Sequence, residues 1–349
     1  MTTMNSNTAG GEAAATPYVV QDMDHLGLVA GMVDELGLVE RIDGLIPQDL
    51  EQRNLSIGLV VKAMILNGLG FIQRALYLTP LFFLNKPLER LLGPGILPEH
   101  LNDDVLGRAL DAIYRYGPTR LFALLAAQAV KRLGLTCRIG HLDATSVHTD
   151  GVYNSEREPA EGVIHITKGY SRDHRPELNQ VVAQLICENQ AGIPLFMAAL
   201  SGNSSDQTSF RETVTEHIGQ LKTAVGLEYI VADSALYNAE TLQELGDFGW
   251  ISRVPETIRL ARELTSSVAG ELMLCPGEVA HQTLCTRYGG IRQRWLVVYT
   301  RAARQRAEKT LRKQHLKQGQ AERKAFECLQ KTAFACEADA EAALQAFRN

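Results

Sequence analysis

The chain contains no apolar run of about eighteen residues or more, so no membrane-spanning helix is expected. Its opening stretch, "MTTMNSNTAGGEAAATP", lacks a charged segment followed by an apolar one and does not read as a signal peptide. Residues 1–16 are therefore expected to be a disordered tail, and the protein to be cytoplasmic. The six cysteines, at 137, 187, 275, 285, 328 and 336, include no C-x-x-C pair. That spacing offers neither a zinc site nor a disulfide framework, and the cysteines read as small core residues. A net charge of −5 argues against a protein that coats nucleic acid over its whole surface.

What is present is ordinary soluble composition, 45% hydrophobic and 21% charged over 349 residues, enough for two or three domains. The charge is unevenly placed. From Arg301 to Lys324 there are nine Lys/Arg against two Glu. Such a stripe suits phosphate contact, and it equally suits a solvated helical face.

Residues 17–135 read as an all-helical domain. "HLGLVAGMVDELGLVERIDGLI" and "SIGLVVKAMILNGLG" repeat apolar residues at three-and-four spacing. "NDDVLGRALDAIYRYG" offers Asn102 as N-cap, an apolar stripe through Val105, Leu106, Ala109, Leu110 and Ile113, and a Gly117-Pro118 stop. The texture then changes. Strand-like stretches are expected at 138–148, about 161–168, 179–189 and 193–202, followed by an amphipathic helix with Phe210, Val214, Ile218, Leu221 and Val225 on one face. A strand at Tyr229–Ala232, apolar enough to be buried on both faces, a helix "NAETLQELGDFG" and a strand "WISRVP" follow. Three opening strands and then alternating units predict an α/β mixed sheet compatible with a ribonuclease H-like core, over 136–258. Residues 259–300 read as a β-rich extension with a hairpin turning at Gly289-Gly290, and 301–349 as a basic helical insertion.

Two carboxylates stand out. Asp143 lies inside the strand pattern "RIGHLDATSV", where a buried carboxylate needs a salt bridge, a hydrogen-bond network or a metal. Asp233 closes the apolar run "YIVADSALYN", where it either caps a turn or faces a partner acid. The two belong to the first and fourth strands, which are neighbours in a ribonuclease H-like sheet. Oxygen ligands of this kind suit Mg²⁺ or Mn²⁺ and two-metal phosphodiester chemistry. His141 and His148 flank Asp143 as ligands or as polar neighbours. "KGYSRDHRPELNQ" gathers Lys168, Arg172, His174 and Arg175 near a turn, as a phosphate contact or an exposed basic loop. Trp295 reads as core.

Together "HLDATSVHTDG", "KGYSRDHRPELNQ", "GIPLFMAALSGNSSDQTSF", "IVADSALYNAETL", "WISRVPET" and "YGGIRQRW" resemble the catalytic domain of DDE transposases of bacterial insertion sequences, in the insertion-sequence-four superfamily. "LNDDVLGRALDAIY" resembles the helical region that precedes that domain in one branch. The resemblance spans about residues 17–349. It implies a ribonuclease H-like fold, Mg²⁺-dependent cleavage and strand transfer, binding of terminal inverted repeats and target DNA, and a homo-oligomer acting on paired ends. By position, Asp143 matches the first acid and Asp233 the second, both as metal ligands. The third acid of that superfamily is a Glu in a Tyr-x2-Arg-x3-Glu-x6-Lys helix, and that pattern is missing. Arg304 and Glu308 have the Arg-x3-Glu spacing, yet position 301 is Arg and position 315 is His, so Glu308 reads as a decoy. The chain is expected to end before the last catalytic helix. A catalytically incomplete fragment that still binds DNA or a partner is the alternative. A phosphohydrolase with an Asp nucleophile is disfavoured, because Thr145 stands where a second acid is wanted.

Overall fold

In the computed structural model, residues 20–49, 54–151, 153, 160, 162–171 and 174–348 are described. The chain divides into two compact units, Met1–Leu236 with Glu244–Ser252, and Tyr237–Gln243 with Arg253–Asn349.

The first unit opens with helices α1 (Leu26–Glu35), α2 (Leu38–Leu45), α3 (Ile57–Gly68), α4 (Thr79–Phe83), α5 (Leu88–Leu91), α6 (Asp103–Tyr116) and α7 (Pro118–Leu133). Gly37, at φ 63°, breaks the first apolar pattern into two helices. Leu26, Ile42, Ile57, Leu66, Phe83, Leu101 and Leu106 form their common core. Asn102 caps α6 by accepting the Val105 N–H at 3.1 Å, as its sequence predicts. The stripe on that helix is narrower than expected, for Leu110 is 43% exposed.

The sheet that follows comprises β1 (Ile139–Thr149), β2 (Asn179–Glu188), β3 (Pro194–Ser201), then α8 (Asp206–Val225), β4 (Tyr229–Ala232), α9 (Ala239–Leu245) and β5 (Gly249–Ser252). Its strand order is β3-β2-β1-β4-β5. β1 and β2 pair antiparallel, as do β2 and β3, whereas β1–β4 and β4–β5 are parallel. This is the mixed, ribonuclease H-like arrangement anticipated from the order of elements. α8 buries Phe210, Val214, Ile218 and Leu221, the face its periodicity marks.

Two expectations for this sheet are corrected. The stretch 161–168 forms no strand among its described residues. Thr167 makes one isolated bridge to Gln180, and Gln180 Nε2 donates to the Tyr170 and Gly202 carbonyls at 3.0 and 2.7 Å. The His165 N–H donates to Ser201 Oγ at 3.0 Å and its carbonyl accepts the Gly202 N–H at 2.9 Å, so scattered bonds and not a ladder hold the segment. Gly202 is required there, because a Cβ would lie 2.1 Å from the Gln180 carbonyl oxygen. Secondly, β4 is not buried on both faces. Ile230 is fully buried, but Tyr229 is 41% exposed.

In the second unit, 259–300 opens with a helix, not a strand: α10 (Arg259–Leu274) precedes the antiparallel hairpin β6 (Val279–Tyr288) and β7 (Ile291–Thr300). Val268 and Leu272 of α10 pack with Ala280 of the hairpin. The turn falls at Gly289-Gly290, both at positive φ, as the sequence indicates. α11 (Arg301–Lys331) and α12 (Glu337–Arg348) complete the chain's described elements. No helix among the described residues is long and apolar enough to cross a membrane.

Candidate active site

The site is assembled by strand register. β1 and β4 run parallel, with Leu142 paired to Ala232 as the last matched position of β4. Asp143 and Asp233 each follow that pair by one residue, so they stand side by side where β4 ends. Side chains alternate across a strand. Gly140 and Leu142 point to the buried face with Ile186 and Ile230. His141 and Asp143 therefore point to the opposite face, where both are exposed. This corrects the expectation that Asp143 is embedded in buried surroundings: it sits within a strand, but on that strand's open side. The sequence pattern "HLD" shows the alternation but not which parity is covered.

Each carboxylate has one oxygen fixed locally. Asp143 Oδ1 accepts the Ala144 N–H at 2.9 Å. Asp233 Oδ1 accepts the Ala235 N–H at 2.9 Å, which makes an Asx turn. The Asp233 carbonyl accepts the Ser252 hydroxyl at 2.7 Å and the Leu236 N–H at 3.3 Å. The turn-capping role and the position beside Asp143 thus coexist in one residue. β5 contributes through Ser252, which ties the end of β4 to its outer neighbour.

Of the flanking histidines, His141 lies two residues before Asp143 and shares its face. His148, five residues after it, has the other parity and lies on the opposite face. Among the described residues no three His, Cys, Asp or Glu side chains are grouped closely enough to hold a metal.

The basic loop stands elsewhere along the sheet. Thr167, next to Lys168, is bridged to Gln180, which pairs with His148 of β1, whereas Asp143 pairs with Leu185. Five residues of extended strand separate those levels, about 17 Å. Lys168 and His174 are exposed, and His174 takes a left-handed φ of 57°. Arg175 is ion-paired with Glu177, whose hydrogen bond raises the guanidinium pKa further and lowers its own. Arg172 lies outside the described residues.

Glu308 is on α11 in the second unit and is committed to Arg304, which donates to it at 2.8 Å and lowers its carboxyl pKa. Trp295 is buried, as expected. Its Nε1 donates to Tyr237 Oη at 3.0 Å and Gln293 Oε1 at 2.9 Å. Tyr237 also donates to Gln293, and burial pushes its phenol up to about 12 against the opposing Trp295 hydrogen bond. That cluster has a structural use: with Gln243, which donates to the Gly289 carbonyl at 2.8 Å, it binds 237–243 to the hairpin.

A family model described as a domain of unknown function, DUF4277, matches residues 18–127, the helical front of the chain. No protein of curated function matches the sequence. Among solved structures, a Mos1 transposase paired-end complex with the left transposon end is similar at a TM-score of 0.22 and 8% identity. That likeness covers 49% of this chain and 60% of the other, and is too loose to bear on the site.

Proposed function

We propose that the protein is a DDE-type DNA transposase of an insertion sequence, with Asp143 and Asp233 as two of its metal-binding carboxylates. The observation that carries this reading is the parallel β1–β4 register, which sets the two acids side by side on the open face of a 3-2-1-4-5 mixed sheet. The six sequence motifs of the insertion-sequence resemblance support it, since two of them supply these same acids.

The donor set fits a hard cation. Mg²⁺ is commonly held by one or two carboxylates, with waters and substrate phosphates completing its shell. Asp143 and Asp233 would hold it or Mn²⁺, and the ion supplies Lewis-acid stabilisation of charge developing on the phosphate. The protein's own contribution is orientation. The Ala144 and Ala235 amides hold one oxygen of each carboxylate, and the pair focuses negative charge where β4 ends. In the reaction, water attacks the phosphorus at an element end, a P–O bond forms and the bond to the 3′-oxygen breaks, leaving a 3′-hydroxyl. That hydroxyl then attacks a target phosphodiester, exchanging one P–O bond for another. DNA carrying the terminal repeats and the target would be the partners, with copies of the chain acting together on paired ends in the cytoplasm.

The test is nicking of a supercoiled plasmid bearing the element's ends, in Mg²⁺. Nicks with 3′-hydroxyl ends, lost in Asp143→Asn and Asp233→Asn while end binding persists, are expected. Nicking retained by either variant removes that residue from the site. A second reading is favoured by the lack of a three-carboxylate group among the described residues. In it the chain binds ends or a partner without cutting, and the same assay reports binding with no Mg²⁺-dependent nick.

A further inference from the structure

Charge in this chain is divided between its two units. The second unit carries 17 Lys/Arg against 11 Asp/Glu, a net of +6, so the first carries −11 of the total of −5. The excess concentrates on α11, a 31-residue helix with no buried residue. A helix that buries nothing is held by its own side-chain pairs or by a partner.

The angular distribution decides between these. At about 100° per residue, Arg306, Lys309, Lys313, Lys317, Lys324 and Lys331 fall within an arc of about 80°. They run about 38 Å along the axis, with Glu327 as the acid among them. The other acids lie on the far side and are already engaged. Glu308 accepts from Arg304 at 2.8 Å, and Glu322 accepts from Gln318 at 2.9 Å. Arg301, Arg312 and Arg323 flank the arc on the side that leads to Glu308, and the remaining far side includes Ala303, Ala307, Gln314 and Ala321. Nine of the helix's ten Lys/Arg therefore gather on one side, Arg304 being the exception, which a merely solvated helix does not require.

We propose that this basic face of α11 binds the phosphate backbone of duplex DNA, independently of sequence. Six cations along about 38 Å match a polyanion with one charge per roughly 1.7 Å of axis, and lysine-rich contact positions a duplex without reading bases. The inference deepens the transposase reading by naming where DNA is held, and it rests on that reading only for the identity of the polyanion. It concerns binding alone; Asp143 and Asp233 belong to the other unit.

The experiment measures affinity of the full chain for a 30-base-pair duplex of arbitrary sequence, by fluorescence anisotropy between 50 and 200 mM salt. Two triple variants with the same charge change of −3 are compared. Lys313→Gln, Lys317→Gln and Lys324→Gln strip the basic face, while Ala307→Glu, Gln314→Glu and Ala321→Glu load the opposite one. All six positions are exposed, and circular dichroism checks that α11 is retained. The first variant is expected to bind at least tenfold more weakly at 100 mM salt, with the log–log salt slope reduced by about 2.7. The second should keep a slope within about one unit of the parent. Equal losses in both variants, or none in either, overturn the proposal. So does face-dependent binding to anionic phospholipid vesicles without binding to duplex. Face-selective DNA binding in a chain that never nicks leaves this inference standing and removes cleavage. Nicking that survives the first variant with unchanged affinity does the reverse.

Discussion

Glu188 offers the sharpest test of how the sheet is held in register. It ends β2, pairs with Gly140 of β1, and is 1% exposed. Its carboxylate accepts the Gln190 and Ala191 N–H groups at 2.6 Å and the Ile193 N–H at 3.0 Å, closing the turn into β3. Burial pushes its pKa up, but the amides of Ile193, Gln190, Ala191 and Gly192 outweigh that and leave it below the usual carboxylate range. Glu188→Gln keeps the shape, yet one of its two polar atoms becomes a donor facing donors. Charge-assisted bonds contribute about 1.5–3 kcal/mol each and neutral ones about 1, so the substitution should cost about 2–4 kcal/mol. For a protein of this size that is about 3–5 °C in Tm. The pH dependence follows from the lowered folded pKa. The carboxylate's contribution is complete above the unfolded value of about 4.3 and is lost as pH falls through the lower folded value. Urea unfolding of both proteins from pH 7 down to 3 should show a constant gap above about pH 5 that closes below pH 4. A gap that stays constant across that range, or none at pH 7, refutes the reasoning.

Two further outcomes are expected. Lys62 on α3 is 4% exposed and is paired at 2.6 Å with Asp34, whose side chain is 57% exposed. Asp34→Ala should cost about 2–3 kcal/mol by leaving a buried ammonium within reach of water on one side only, and adding Lys62→Met should recover most of it in urea melts. Tyr237, with its phenol pushed up to about 12, holds its proton longer folded than unfolded, so stability should fall as pH rises from about 10 to 12. Tyr237→Phe should remove that fall in thermal melts while weakening the protein at pH 7 by about 1 kcal/mol.

Much of this architecture is legible in the residues because period and punctuation agree there. The Asn102 cap, the α8 face and the Gly289-Gly290 turn each rest on local chemistry that tertiary context has no reason to override. The two acids draw notice for different reasons, Asp233 because it ends an apolar run and Asp143 because it lies inside a strand pattern. What failed was whatever depends on a neighbour. The stretch 161–168 has the residues of a strand, but a strand needs a ladder, and its described residues obtain one bridge, the Gln180 side chain and the His165 bonds to Ser201 and Gly202. Tyr229 looks like core by type, and its exposure follows from what does not cover it. Asp143 reads as embedded because alternation gives parity without saying which face is open. On α11 a count of charges conceals their segregation, which appears only once each residue has an angle.

The most direct test of the paired-carboxylate site needs no turnover. Fe²⁺ substituted for Mg²⁺, with ascorbate and peroxide, generates radicals that cut the polypeptide near the bound ion. Cuts at both the Asp143 and the Asp233 segments, suppressed by excess Mg²⁺ and lost together in either Asp143→Asn or Asp233→Asn, are the predicted result. Cutting at one segment alone, or cutting that survives both substitutions, would contradict a shared metal site.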